Sequence, residues 1–227
     1  MNHTERLAGT IFFVVYLLAM PLLAQRLFSL FALLLDTQIS VERQNALYYY
    51  LLFAVTLIIF HRFIAQAGSR LLDNLNRACI TFFSGLLIFY GANELLYRVF
   101  RVFFHSRANL SDVTIAAQIQ SAPRTTALIV IFLAPFVEEV LFRGLVFGCL
   151  REKSAVAGYA VSALLFAFLH VWTFALSSWD ASYLALMAQY LAPGLVFAWA
   201  YDRSGTIWTP ILLHAAVNAL ALYVPAA

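Results

Sequence analysis

Long apolar runs constrain this chain more than any other feature. They lie at about 9–35, 46–66, 79–102, 124–150, 155–175, 182–201 and 207–224. A helix rises about 1.5 Å per residue, so about 20 residues cross the roughly 30 Å hydrocarbon core of a bilayer. Each run is near or above that length, and no Gly/Ser linker, low-complexity tract or internal repeat separates them. The expected fold is therefore all-α: a polytopic transmembrane helix bundle of about seven spans in one domain, 1–227. Composition agrees. Hydrophobic residues make up 63% of the chain, charged residues 11%, and mean hydropathy is +0.85. Soluble domains run nearer about 45–50% apolar and about 25% charged.

The first run has two readings. Arg6 followed by Ile11–Ala19 resembles a signal peptide, but the apolar stretch continues past a plausible cleavage site, so a retained helix is expected. Pro21, Gln25 and Arg26 interrupt it, which predicts a kink or a polar end. Residues 105–123 form the longest stretch outside the spans. Ser111 or Asp112 is placed to cap a short interfacial helix there; an ordinary loop is the alternative.

The net charge of +3 comes from scattered arginines and one lysine, Lys153, with no run of like charge to bind nucleic acid. With the N-terminus inside, Arg6, Arg62, Arg70, Arg77, Arg151, Lys153 and Arg203 fall inside. Arg43, Arg98, Arg101, Arg107 and Arg124 fall outside, a slight positive-inside excess. Cys79 and Cys149 sit beside or within apolar runs, offer no CxxC signature and are read as packing residues.

Ionisable side chains within a span cost several kcal/mol unless paired or hydrated, so each is a functional candidate. The fourth run places Glu138, Glu139 and Arg143 near its middle. Glu139 and Arg143 are spaced i, i+4 with the acid first, which suits a helical ion pair. Glu138 points about 100° away, has no partner on its own helix, and is placed to act as a general base. Pro135 cannot donate to the carbonyl of Ile131, which leaves that carbonyl free to hold water near Glu138.

Of the five histidines, His3, His61 and His105 lie at or beyond span ends and are read as solvated. His170 and His214 lie inside apolar runs. Either alone would be read as a packing residue; together, following an intramembrane carboxylate, they indicate a site. Asn218 stands four residues after His214, on the same helix face. Measured from the side carrying Arg151 and Arg203 at about 1.5 Å per residue, Glu138 lies about 18 Å deep. His170 lies about 22 Å, His214 about 12 Å and Asn218 about 18 Å deep. All four can therefore surround one mid-membrane site. Glu94 and Arg98 make a second i, i+4 pair, read as structural. Asp180 and Asp202 are assigned to loops, Ser162 to an ordinary helix position, and Gly194 beside Pro193 to close packing or a bend.

Glu138-Glu139-x-x-x-Arg143, then Phe166-x-x-x-His170, then His214-x-x-x-Asn218 resembles the motif pattern of the CAAX-protease and bacteriocin-processing family (CPBP, or Abi). The stretch Gly205–Pro210 before His214 is similar to that family's final motif, and the resemblance covers roughly 124–220. It implies a multi-helix intramembrane endopeptidase acting on a membrane-associated peptide or protein, lipidated as in CAAX substrates or not. On the same resemblance Glu138 and His170 activate water, His214 and Asn218 steady the oxyanion, and Glu139 and Arg143 support the helix that positions Glu138.

Three rivals stay open at this stage. No metal cofactor is expected, but Glu138, His170 and His214 could instead ligate Zn²⁺ with an open fourth position, although HExxH spacing is absent. A transporter or proton relay also uses intramembrane acids and histidines, though no inverted repeat is seen. A non-catalytic immunity protein could retain the motifs. Short loops favour a prokaryotic plasma membrane, with membrane lipids as constant partners.

Overall fold

A computed structural model describes residues 1–34, 36–103 and 119–223. Among the described residues there is no strand, and six helices are long and apolar enough to span a membrane. They are α1 (His3–Ala24), α2 (Val41–Asp73), α3 (Leu75–Leu96), α4 (Pro123–Arg151), α5 (Ala155–Ser178) and α6 (Tyr183–Ser204). A seventh, α7 (Trp208–Tyr223), is shorter and apolar. The bundle expected from the runs is present, with shifted ends. The first helix starts earlier, and helical structure continues through Met20–Leu34. The second runs from Val41 to Asp73, past both ends of its apolar run, so exposed His61 lies well inside a helix rather than at its end. Most of the 105–123 stretch, His105 included, falls outside the described residues.

Local chemistry explains the ends. Asn2 and Glu5 form a reciprocal capping box at the start of α1. Ser40 caps α2 and Ser154 caps α5, each accepting from a backbone N–H three residues on. Gly205 closes α6 in the left-handed region, φ 77°, which glycine adopts without a Cβ clash.

Two of the prolines inside helices follow a π-wound turn. Val15–Ala19 is a π-helix ahead of Pro21, and Ile129–Leu133 is one ahead of Pro135. A proline ring clashes with the carbonyl four residues back, and widening that turn relieves the clash. A third π stretch, Val140–Phe147, follows the two glutamates directly.

α4 is the centre of the molecule. In its most apolar stretch 72% of residues are buried, against 17% to 33% for the other five long spans. A helix that is apolar all round and buried all round needs neighbours on every side. α1 supplies one: Phe13 meets Phe142 edge-on at 5.2 Å. α2 supplies Phe53 against Phe136 at 4.8 Å. A Cβ on Gly194 of α6 would lie only 3.0 Å from the Cα of Ala163 on α5. That approach is the close packing expected there. In lipid, such van der Waals contact and buried polar ties, rather than the hydrophobic effect, hold helices together.

Some of those ties were not expected. Ser162, read as an ordinary helix residue, is fully buried and donates to the Phe142 carbonyl at 3.0 Å, which fastens α5 to α4. Asp202, read as a loop residue, lies in α6, pairs with Arg151 and accepts from the Tyr159 hydroxyl at 3.1 Å. Glu5 is buried and accepts the Phe63 N–H at 2.9 Å, just past the non-helical Phe60 that kinks α2. Glu94 and Arg98 do pair, at 2.7 Å on an exposed face. Cys149 packs against the core, but Cys79 is exposed, so only one cysteine fits the packing reading.

Candidate active site

The charged residues of α4 face two ways. Glu139 and Arg143 are both fully buried and form the expected ion pair, with Arg143 Nη1 donating to Glu139 Oε1 at 2.9 Å. Arg143 also donates through Nη2 to the Gly194 carbonyl at 3.0 Å, and its guanidinium lies 4.4 Å over the Phe166 ring. One arginine thus links α4 to α5 and α6. Such a group is tolerable in low dielectric only when paired and hydrogen-bonded.

Glu139 does more than neutralise Arg143. Its Oε1 also accepts from His214 Nδ1 at 2.8 Å, across 75 residues of sequence. Glu139 therefore has a second partner besides the expected arginine. With Nδ1 directed at the carboxylate, Nε2 is the nitrogen of His214 left for other work. His170 reaches the same condition differently, because its Nδ1 meets the Phe166 carbonyl one turn back at 2.8 Å. Phe166 lies between the two imidazoles, 4.5 Å from His170 and 6.1 Å from His214, centroid to centroid. The three motifs therefore converge, as their depths require.

Glu138 is 8% exposed, and among the described residues it accepts no hydrogen bond. It faces α1 and α2 more than its neighbour does. α1 runs antiparallel to α4, with Gly9 near Leu145 and Phe13 on Phe142, so Tyr16 arrives at the level of Glu138. Tyr16, Tyr48 and Tyr49 all lie within electrostatic reach of its carboxylate. Nothing marked these tyrosines in the sequence, where aromatic residues are common throughout.

Asn218 is placed differently from expectation. Its Nδ2 donates to the Val130 carbonyl at 2.8 Å, about two helical turns before Glu138. The π winding explains the choice of carbonyl. Across this turn the N–H of Ala134 bonds to Ile129, five residues back. In that register the next donor would be Pro135, which has no N–H, so Val130 rather than Ile131 loses its partner. A side chain of α7 fills the gap in place of the expected water. Asn218 keeps a second amide hydrogen for other use.

Glu138, His170 and His214 keep unengaged ligand atoms, and so does Glu139, whose Oε2 has no partner among the described residues. Both histidines have Nδ1 fixed and Nε2 free, the arrangement by which outer partners orient metal-ligating imidazoles. Among the described residues, no three His, Cys, Asp or Glu side chains are assembled at ligand distances.

Residues 120–220 match the family described as Type II CAAX prenyl endopeptidase Rce1-like. The chain is also 31% identical over 129 residues to a Bacillus subtilis (strain 168) protein named "Putative membrane peptidase YdiL". That match takes in 56% of this chain and 46% of the relative, so it spans about half the relative's length. No solved structure matches the chain. The matched segment contains every motif residue from Glu138 to Asn218, and the apolar helices make the chain an integral membrane protein. A bacterial relative accords with the prokaryotic plasma membrane expected.

Proposed function

Because residues 120–220 carry the CPBP family's segment, we propose that this chain is an intramembrane endopeptidase in which Glu138 activates water. The observation that supports it most is the 2.8 Å contact between His214 and Glu139, which joins the first motif to the third beside Phe166 of the second.

In this reading a water between Glu138 and His170 Nε2 attacks the scissile carbonyl carbon. Glu138 takes a proton from the water as the C–O bond forms, then delivers it to the leaving nitrogen as the C–N bond breaks. The developing oxyanion needs donors. Asn218 offers its second amide hydrogen. His214 can donate from Nε2 only when both ring nitrogens carry hydrogens, and the Glu139 carboxylate on Nδ1 supports that state. Arg143 holds Glu139 in place and is itself held by Gly194. The substrate class is a membrane-associated peptide or protein, with a CAAX-type lipidated C-terminus as the first candidate.

The test is hydrolysis by purified protein in liposomes. A farnesylated CAAX peptide and a labelled single-span peptide serve as substrates, and mass spectrometry identifies the products. Glu138→Gln, nearly isosteric, should abolish cleavage while leaving a folded protein. A variant that keeps more than about a tenth of wild-type turnover would refute Glu138 as the base. The free Nε2 atoms support a second reading, in which Glu138, His170 and His214 hold zinc as ligands and the metal supplies the activated water.

A further inference from the structure

The aromatic rings that hold the two histidines come from one face of α6, a helix that carries none of the three motifs. His170 stacks on Tyr190, with centroids 4.6 Å apart and planes 26° apart. His214 stacks on Phe197, 4.5 Å and 18°. Between them on the same helix, the Gly194 carbonyl accepts Arg143. Positions 190, 194 and 197 are spaced i, i+4, i+7, which places all three on one stripe of a helix. One stripe thus touches His170 of α5, Arg143 of α4 and His214 of α7.

The contact depends on how close α6 lies. Gly194 meets Ala163 of α5, where an added Cβ would sit 3.0 Å from Cα and 3.1 Å from Cβ. Ala163 lies two turns before His170 on the same face of α5, and Tyr190 lies one turn before Gly194 on α6. Close approach at Gly194 therefore brings the Tyr190 ring flat onto His170.

A single hydrogen bond leaves an imidazole free to rock about the donor–acceptor line. Among the described residues His170 has one such bond, to Phe166, and His214 has one, to Glu139. A flat aromatic partner removes the remaining freedom, and stacked geometry is favoured between such rings. An aliphatic side chain of similar volume would fill the space without fixing the plane.

We propose that Tyr190 and Phe197 are positioning residues, each setting the plane of one histidine so that its Nε2 is held in a single orientation. The catalytic consequence rests on the endopeptidase reading, in which both imidazoles act through Nε2; the positioning itself does not.

Two measurements test this. The first needs no substrate. In protein labelled with ¹⁵N-histidine and held in nanodiscs, His170 should give one set of nitrogen shifts with Nδ1 bearing hydrogen. Tyr190→Leu should move the His170 signals toward a tautomer average and leave those of His214 in place. Phe197→Leu should do the reverse. His170 signals unchanged in Tyr190→Leu, or both histidines moving together in either variant, would overturn the proposal. The second measurement is kinetic, with the farnesylated peptide. Tyr190→Leu should lower kcat by about tenfold or more with KM little changed, the effect of misplaced catalytic groups. Tyr190→Phe, which keeps the ring, should stay within about threefold of wild type. Equal loss in both variants would assign the effect to the hydroxyl and overturn the stacking role. If the wild-type protein cleaves neither peptide, the endopeptidase reading fails, while the nitrogen shifts still decide the positioning.

Discussion

Glu139 shows how much one oxygen atom can carry in a lipid-buried site. Its Oε1 accepts from both Arg143 and His214, so the ion pair and the histidine share a single anchor. Removing the arginine would leave a fully buried carboxylate with only an imidazole to balance it. Breaking a buried pair by deleting one partner costs about 3–5 kcal/mol. Arg143→Ala should therefore lower the thermal unfolding midpoint in detergent and abolish activity as well, whereas Arg143→Lys should retain part of the stability. An unchanged midpoint in Arg143→Ala would show that the pair is not buried in the working protein. The pair itself was legible in the sequence, because i, i+4 spacing is a local property of one helix. The His214 contact was not, since nothing periodic connects positions 139 and 214. The same holds for Ser162, whose target is a backbone carbonyl on another helix.

At the scale of a helix, the informative feature is a proline preceded by a π turn. Pro135 was correctly read as freeing a carbonyl, but the count assumed an α register and pointed to Ile131. The π winding of Ile129–Leu133 moves the vacancy to Val130, and Asn218 fills it. π turns cannot be counted from composition, because they answer to packing around the proline rather than to residue type. The two residues should then be energetically coupled. Asn218→Ala alone leaves an unmatched buried carbonyl, at about 1–3 kcal/mol. With Pro135→Ala in place, residue 135 has an N–H to offer and the helix can satisfy Val130 itself. Asn218→Ala should cost less stability in that background, with a coupling of about 0.5 kcal/mol or more in a double-mutant cycle. Equal costs in both backgrounds would mean that the Val130 carbonyl is satisfied without Asn218.

Across the whole molecule, α4 is packed among α1, α2, α5, α6 and α7, and the motif residues converge because α5, α6 and α7 each make a polar or aromatic contact at its middle. The span count was readable from hydropathy and residue rise. The roles of α1, α2 and α6 were not, because their contributions are tyrosines, a phenylalanine and a glycine that look like ordinary apolar sequence. That arrangement also frames the metal question. Each histidine has spent Nδ1 on the protein, and Glu139 has spent Oε1 twice, so among the described motif residues Glu138, the two Nε2 atoms and Glu139 Oε2 are the free ligand atoms. Glu138 and the two Nε2 atoms can ligate a metal or they can run acid–base chemistry; the same groups cannot do both at once. If zinc takes them, the only carboxylate oxygen left among the described motif residues to accept the proton from water is Glu139 Oε2, on a group already held by Arg143 and His214 through Oε1. If zinc does not, Glu138 stays free for the proposed role of base. The glutamate mechanism therefore expects purified, active protein to contain far less than one zinc per chain and to keep its turnover through prolonged chelation. Elemental analysis of the active fraction is the sharper measurement, because chelators reach a mid-membrane site slowly. Stoichiometric zinc, with activity lost on removal and regained on return, would reassign Glu138, His170 and His214 as ligands and end the glutamate-base mechanism.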